Sequence, residues 1–388
     1  MTKRFLTWTV AGASALCISL AGCGEGSGGT DVTRTDSAGI SIVMSSGADR
    51  PLDWEFTPLL TLGGADEGPE AFYLLWPGIV ATGRDGSIYV IDRSNHRVVA
   101  FDSAGGHLWS VGREGGGPGE FRWPSGVTVG PDGTVEVMDI GNRKIERIAA
   151  DGESLGSVSL GSEGAIRQVS RVDQGLALEL QEGVQELTDR LVLAQGADTT
   201  ELTSVTPPGT KLIEVPNCPI RVQQPPIFAP ELTWGAGWAS VAVSAGPEYS
   251  IALFDGMRRV ASYRRDVEPR QATAEIAAGE YPDGLRLRGG AIDCNVPAED
   301  FAEARGFAPL VPTIRELLLE PDGTIWVQRD WTTPGEHPID IIAPDGAYLG
   351  TLPPEVEYPV AFTAGGHAVV IETDDLDVQR LVVYRVDK

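Results

Sequence analysis

Among the 388 residues, the feature that most restricts the fold is an internal repeat. Residues 76–95 read WPGIVATGRDGSIYVIDRSN, and residues 123–142 read WPSGVTVGPDGTVEVMDIGN. Trp76 and Trp123, Asp85 and Asp132, Asp92 and Asp139, and Asn95 and Asn142 are each 47 positions apart. A unit recurring at such a period buries its apolar face by stacking on its own copies. The first unit holds four short apolar runs, at 78–82, 87–91, 97–101 and 107–111, separated by turn residues. Asp85-Gly86 and Asp132-Gly133 are hairpin signals, because glycine tolerates the positive φ that tight turns require. Four antiparallel strands in forty-odd residues is the size of one β-propeller blade.

The two units resemble NHL-repeat blades. The resemblance rests on GREGGGPGEFRWPSGV at 112–127, on Pro131-Asp132-Gly133, and on Asp92-Arg93-Ser94-Asn95-His96-Arg97. The second copy keeps Asp139 and Asn142 but has Arg143-Lys144 where the pattern expects a final Arg. The body is similar to the six-bladed propeller lipoproteins of bacterial envelopes. The resemblance implies an all-β fold of six four-stranded antiparallel blades. By pattern, blade three covers about 164–205, blade four 227–264, blade five 314–352 and blade six 358–386. Blade six shows only three clear strands. Leu59–Gly63 followed by Gly68-Pro69 parallels Leu108–Gly112 followed by Gly117-Pro118, so a strand preceding blade one is expected to complete blade six. Such closure removes the open sheet edges that invite aggregation. Two β-sandwich domains fit less well, since neither a polar central linker nor unequal repeat lengths are seen.

Residues 1–22 read as an export signal: Lys3 and Arg4, then 16 uncharged residues from Phe5 to Leu20. That run is short for a membrane span of about 20 residues. Leu20-Ala21-Gly22-Cys23 resembles a bacterial lipobox, which implies cleavage before Cys23 and its lipidation. Gly24 in place of Asp then implies the outer membrane. Residues 23–35 are expected to be a flexible tether and 36–388 the propeller. Cys17 leaves with the signal, so Cys218 and Cys294 remain. One bridge between them is expected in an oxidising envelope, with two free thiols as the alternative.

Thirty basic against 55 acidic residues give a net charge of −25. A nucleic-acid reader needs a basic face, so that class is excluded, as is folded-surface attraction to anionic lipid. Membrane contact is expected through the lipid anchor only, and the protein is expected to be a monomer. Gly-x-Ser-x-Gly, His-Glu-x-x-His and Cys-x-x-Cys are absent, and the 112–119 loop lacks the Lys-Ser/Thr end of a P-loop. His96 and His107 fall in the first unit, His337 and His367 in the fifth and sixth, too few suitably placed for the zinc centre of a lyase resembling the peptide-amidating enzymes. Two readings follow. The first is a binding platform for a protein, a peptide, or a small anionic or saccharide ligand, with no catalytic residue and no resident cofactor. The alternative is a metal-dependent hydrolase or lyase, resembling the gluconolactonases, with Ca²⁺ or another divalent ion held by carboxylates in the central channel.

Function concentrates in long loops on a rigid scaffold. In a propeller, the connections between blades share one face with the turns between second and third strands. The long segments 63–77, 207–226, 266–312 and 330–338 all fall on that face, and the short Asp-Gly turns fall on the other. Candidate ligand contacts there are Arg122, Arg221, Arg286, Arg288, Trp331 and His337, since an arginine fork donates two hydrogen bonds to one anion. Cys218 and Cys294 lie in neighbouring insertions on this face, where their sulfurs could meet. Residues 297–305 (PAEDFAEAR) read as a short helical lid. Trp76, Trp123 and Trp326 read as blade-packing residues; Trp234, Trp238 and Trp331 lie near loops. Asp92/Asn95 and Asp139/Asn142 are expected to cap turns.

Overall fold

The computed structural model describes residues 31–388 except 65–67, 73, 161–163, 184–185, 197, 216–217, 290–291 and 331–336. The chain begins with a hairpin, β1 (Asp31–Ser37) and β2 (Ile40–Ser46), followed by β3 (Glu55–Leu62). Blade one is β4 (Val80–Thr82), β5 (Ile88–Asp92), β6 (Arg97–Phe101) and β7 (His107–Val111). Blade two is β8 (Pro124–Val129), β9 (Val135–Asp139), β10 (Lys144–Ile148) and β11 (Ser154–Ser159). Blade three is β12 (Ala165–Val172), β13 (Gly175–Glu182), β14 (Thr188–Gln195) and β15 (Asp198–Val205). A hairpin of β16 (Lys211–Glu214) and β17 (Arg221–Gln224) precedes blade four, which is β18 (Thr233–Ala236), β19 (Ser240–Ser244), β20 (Ser250–Asp255) and β21 (Arg258–Arg265). Helix α1 (Ala274–Gly279), β22 (Leu285–Gly289), β23 (Ile292–Val296) and α2 (Ala298–Arg305) come next. Blade five is β24 (Ile314–Leu319), β25 (Ile325–Arg329), β26 (Ile339–Ile342) and β27 (Tyr348–Leu352). Blade six is β28 (Ala361–Phe362), β29 (Ala368–Thr373) and β30 (Gln379–Asp387), with β3 as its outer strand.

This is the six-bladed propeller that the resemblance implies. β3 pairs antiparallel with β30 (Phe56 with Val386, Leu62 with Leu381), so the N-terminal side of the chain closes the ring. The second strand of each repeated blade is covered by its neighbours on both faces. β5 and β9 are therefore buried along their whole length and both end in Asp; β5 reads as an unbroken apolar run before it, whereas β9 carries Glu136 among its apolar residues. That Asp is satisfied locally. Asp92 accepts from the Asn95 amide (3.3 Å), from Asn95 Nδ2 (2.8 Å) and from Arg97 Nε (2.8 Å). Asp139 accepts from the Arg122 and Trp123 amides (3.0 and 2.8 Å) and from Asn142 Nδ2 (2.7 Å). Both pairs are turn caps, as their residue types predict.

Two features depart from the sequence reading. Residues 31–35, assigned to the tether, belong to β1, and the β1–β2 hairpin adds to blade four through parallel pairing of β2 with β21. Alternating residues of ISIVMSS bury Val43 and Ser45 against that blade, which a Ser/Thr-rich composition conceals. Residues 47–54 then cross to blade five, where Thr351 and Leu52 amides exchange bonds with Arg50 and Thr351 carbonyls (2.7 and 3.0 Å).

The insertions before and after blade four pack into one cap. Ile213, Val215, Val296 and Phe301 form its core, with Tyr281 edge-on to Phe301 at 5.0 Å. Cys218 and Cys294 are disulfide-bonded, with a Cα–Cα distance of 5.8 Å and a sequence separation of 76. The expected 297–305 helix is α2, packed on α1 through Ala277, Ala278 and Ala302.

Candidate functional site

The six inner strands surround a channel. Toward the short-turn face its lumen is about 130 Å³, with a mixed wall in which Val80, Val127 and Leu318 alternate with Thr82, Thr128 and Ser170. Arg171 also reaches it and pairs with Glu136 at 3.3 Å. The short turns cross this end. Arg84 of blade one pairs with Asp173 of blade three and lies over the Trp238 ring of blade four at 4.7 Å. The Asp173 amide donates to the Trp238 carbonyl at 2.7 Å. Trp238, one of the tryptophans near loops, is thus engaged by protein. Trp234 is also engaged: it is 4% exposed and its Nε1 donates to Glu179 at 2.9 Å. Glu316, two residues before Leu318 and hence on the same strand face, is the exposed carboxylate of β24. Among the described residues, no three His, Cys, Asp or Glu side chains converge as metal ligands.

The other face carries a recess of about 260 Å³ between the cap and the first residues of β18 and β24. Pro225, Pro226, Phe228 and Pro312 supply apolar wall; Glu231, Glu280, Arg305, Arg315 and Tyr281 supply polar groups. Arg315 holds Glu280 through two parallel bonds of 3.0 and 2.9 Å. Arg305, the last residue of α2, donates to the Pro225 carbonyl (2.7 Å) and to the Tyr281 hydroxyl. The helix thereby locks one wall. Glu231 has no hydrogen-bond or ion-pair partner among the described residues. Glu231 is exposed at the mouth of the recess, with the surrounding wall crowding its carboxyl group. The desolvation this causes raises its carboxyl pKa, against the pull of Arg305 and Arg315.

The sequence-derived candidates are distributed around this face. Arg221 pairs with Glu214 across the β16–β17 hairpin at 2.8 Å. Arg286 and Arg288 share Asp293 across β22–β23, Arg288 at 3.4 Å. All three are neutralised in exposed cross-strand pairs on the cap and none lines the recess. His337 is half-buried, with Nδ1 unpaired, and does not line the recess; burial and then Arg315 depress its pKa. Trp331 lies outside the described residues. Arg122 is exposed on the connection into blade two.

Of the two repeat tryptophans, Trp76 keeps the packing role read from their period and Trp123 departs from it. Trp76 is partly buried against the blade-one core, whereas Trp123 is 49% exposed. Between them stands Arg93, its guanidinium carbon 5.5 Å from the Trp76 ring centroid and 4.1 Å from that of Trp123. Neither Glu231, Arg315 nor this sandwich is visible as a site in the sequence. The only hint was the placement of 297–305, which ends in Arg305, and of the proline-flanked insertions.

A family model of DUF5128, described as a 6-bladed beta-propeller, matches residues 81–159, blades one and two. Among solved structures, a candidate exported protein of Bacteroides fragilis is similar, with a TM-score of 0.51, 12% identity, and coverage of 89% of this chain and 100% of that one. A DUF4221 family member from Bacteroides vulgatus gives a TM-score of 0.49 at 9% identity, covering 86% and 99%. A gluconolactonase from Xanthomonas campestris gives 0.41 at 11%, covering 86% and 90%. No curated protein matches the sequence. At these identities the likeness concerns the fold.

Proposed function

We propose that this chain is an exported, Cys23-anchored propeller that binds a small ligand under its cap and does not transform it. One observation carries the reading: a recess of about 260 Å³ holds an unpartnered carboxylate, Glu231, within an apolar wall of prolines and Phe228. A ligand that brings an ammonium or hydroxyl group to Glu231 and lays an apolar body on the prolines relieves that desolvated charge. The scaffold suits rigid presentation, because the cap is braced by a disulfide and by the bidentate Arg315–Glu280 pair. The export signal and lipobox of residues 1–23 support the location. The test is native mass spectrometry with metal analysis on protein taken from envelope membranes. Wild type should retain a small-molecule adduct that Glu231→Ala loses. An adduct indifferent to Glu231, no adduct at all, or a stoichiometric divalent ion would each overturn this reading, the last in favour of a hydrolase or lyase.

A further inference from the structure

In a protein of net charge −25, a guanidinium without a carboxylate is conspicuous. Arg93 is one. Among the described residues its side chain has no ion-pair or hydrogen-bond partner, and both ring contacts are to indoles. The arrangement is held from below. Asp92 caps the turn that carries Arg93, and the next-but-two residue, His96, takes the left-handed conformation that ends it. Asp139 binds the amides of Arg122 and Trp123, which fixes the second wall. Gly141 lets that wall approach: a Cβ there would sit 2.9 Å from the Cβ atoms of Arg122 and Trp123. Both indoles lie within about 6 Å of the guanidinium carbon, and the guanidinium N–H groups, unpaired among the described residues, remain to bind an anion. Arg122, also unpaired among the described residues, precedes Trp123 and adds a second positive charge. At the equivalent place in blade two stands Ile140, 41% exposed, so the motif occurs in one of the two matched repeats.

We infer that Arg93, held between Trp76 and Trp123, is the anion-binding element of a second site, one that takes an acidic saccharide. The N–H edge of Arg93 receives the sugar carboxylate, and the exposed indole of Trp123 receives the C–H face of a ring. Arg122 reinforces the charge. This site lies where blades one and two meet, and it depends on neither the recess nor its ligand.

Trigalacturonate is the probe, with maltotriose as the neutral control and sodium sulfate as the bare anion. Binding is measured by calorimetry and by tryptophan fluorescence on the full chain. Wild type should bind trigalacturonate saturably with a fluorescence change, and should bind maltotriose and sulfate at least about tenfold more weakly. Arg93→Gln should weaken trigalacturonate about tenfold or more; Arg93→Lys, which keeps the charge but loses the planar fork, should fall between. Arg221→Gln on the cap should change nothing. Trp123→Leu carries the test by calorimetry should Arg93→Gln fail to fold. Trigalacturonate binding that is absent, or equal in Arg93→Gln and Trp123→Leu, overturns the proposal. Equal binding of sulfate indicates an adventitious ion only, and equal binding of maltotriose removes the role of the charge; either overturns it too.

Discussion

Asp340→Asn removes one charge from a buried cluster that is neutral when complete. The Asp340 side chain has no exposed surface; those of Arg265 and Arg329 are 2% and 6% exposed. Arg265 Nη1 approaches Asp340 to 2.7 Å, Arg329 Nε to 3.1 Å, and Thr351 donates its hydroxyl at 2.6 Å. Arg265 comes from blade four and the other groups from blade five, so the cluster joins the two blades. Asp49, from the crossing segment, pairs with both arginines but is 49% exposed. After the substitution, two buried guanidiniums share one half-exposed carboxylate. Removing one partner of a buried pair costs about 3–5 kcal/mol. With an unfolding entropy of about 2.1 cal/mol/K per residue over roughly 350 residues, that corresponds to a fall in Tm of about 4–7 °C. Urea unfolding followed by tryptophan emission is a suitable assay, because Trp326 is fully buried and shares β25 with Arg329. Asp49→Asn is the control. Its carboxylate is half-exposed, so screening should hold its cost to about 1 kcal/mol or less. A smaller loss for Asp340→Asn than for Asp49→Asn would refute the reasoning, since it would mean that burial does not set the cost.

Three further outcomes are expected. Cys23→Ser should release the protein from membranes; retention after a carbonate wash would refute lipidation at that residue. Replacing Cys218 and Cys294 together by Ser removes a 76-residue crosslink, worth about 4 kcal/mol in the chain-entropy model. Because the bond staples cap to cap, amide exchange in β16–β17 and β22–β23 should accelerate while protection of β5 and β9 stays unchanged. Glu231→Gln should raise Tm at pH 7. Burial raises the folded-state pKa of Glu231, so the folded state binds more protons and stability falls as pH climbs through and above the ordinary carboxylate range. The gain should therefore vanish at acidic pH, where wild-type Glu231 is protonated in both states.

The blades were legible because their physics is local. Asp-Gly turns and doubly buried second strands leave period and composition in the sequence, as 87–92 and 134–139 show. The inner strand of blade four was not. TWGA offers one large apolar side chain, and Gly235 is there because a Cβ would meet the Leu317 carbonyl of blade five at 2.1 Å, a constraint from a residue 82 positions away. The Cys218–Cys294 bridge followed from topology, which places both insertions on one face. Arg221, Arg286 and Arg288 drew attention as charges, but their partners Glu214 and Asp293 are set by hairpin register, unknowable from composition. Conversely, Arg305 and Arg315 gain meaning only once the cap folds over blades four and five. Arg93 looked like an ordinary turn residue until Trp76 and Trp123, 47 residues apart, came to either side of it.

The placement of β3 separates ring closure from the route by which tension would enter the molecule. A pull on the N-terminal end acts first on Asp31, which pairs with Ser46 at the open end of the β1–β2 hairpin. From there the hairpin unzips one pair at a time, the geometry that resists force least. Next comes the parallel seam between β2 and β21, and then the double grip of Asp49 on Arg265 and Arg329. Only after residues 31–54 have peeled away does tension reach β3. Those 24 residues, at about 3.4 Å each, extend some 80 Å. The propeller thus carries a peripheral segment that peels away under tension before the six blades, the cap or either candidate site loses its shape.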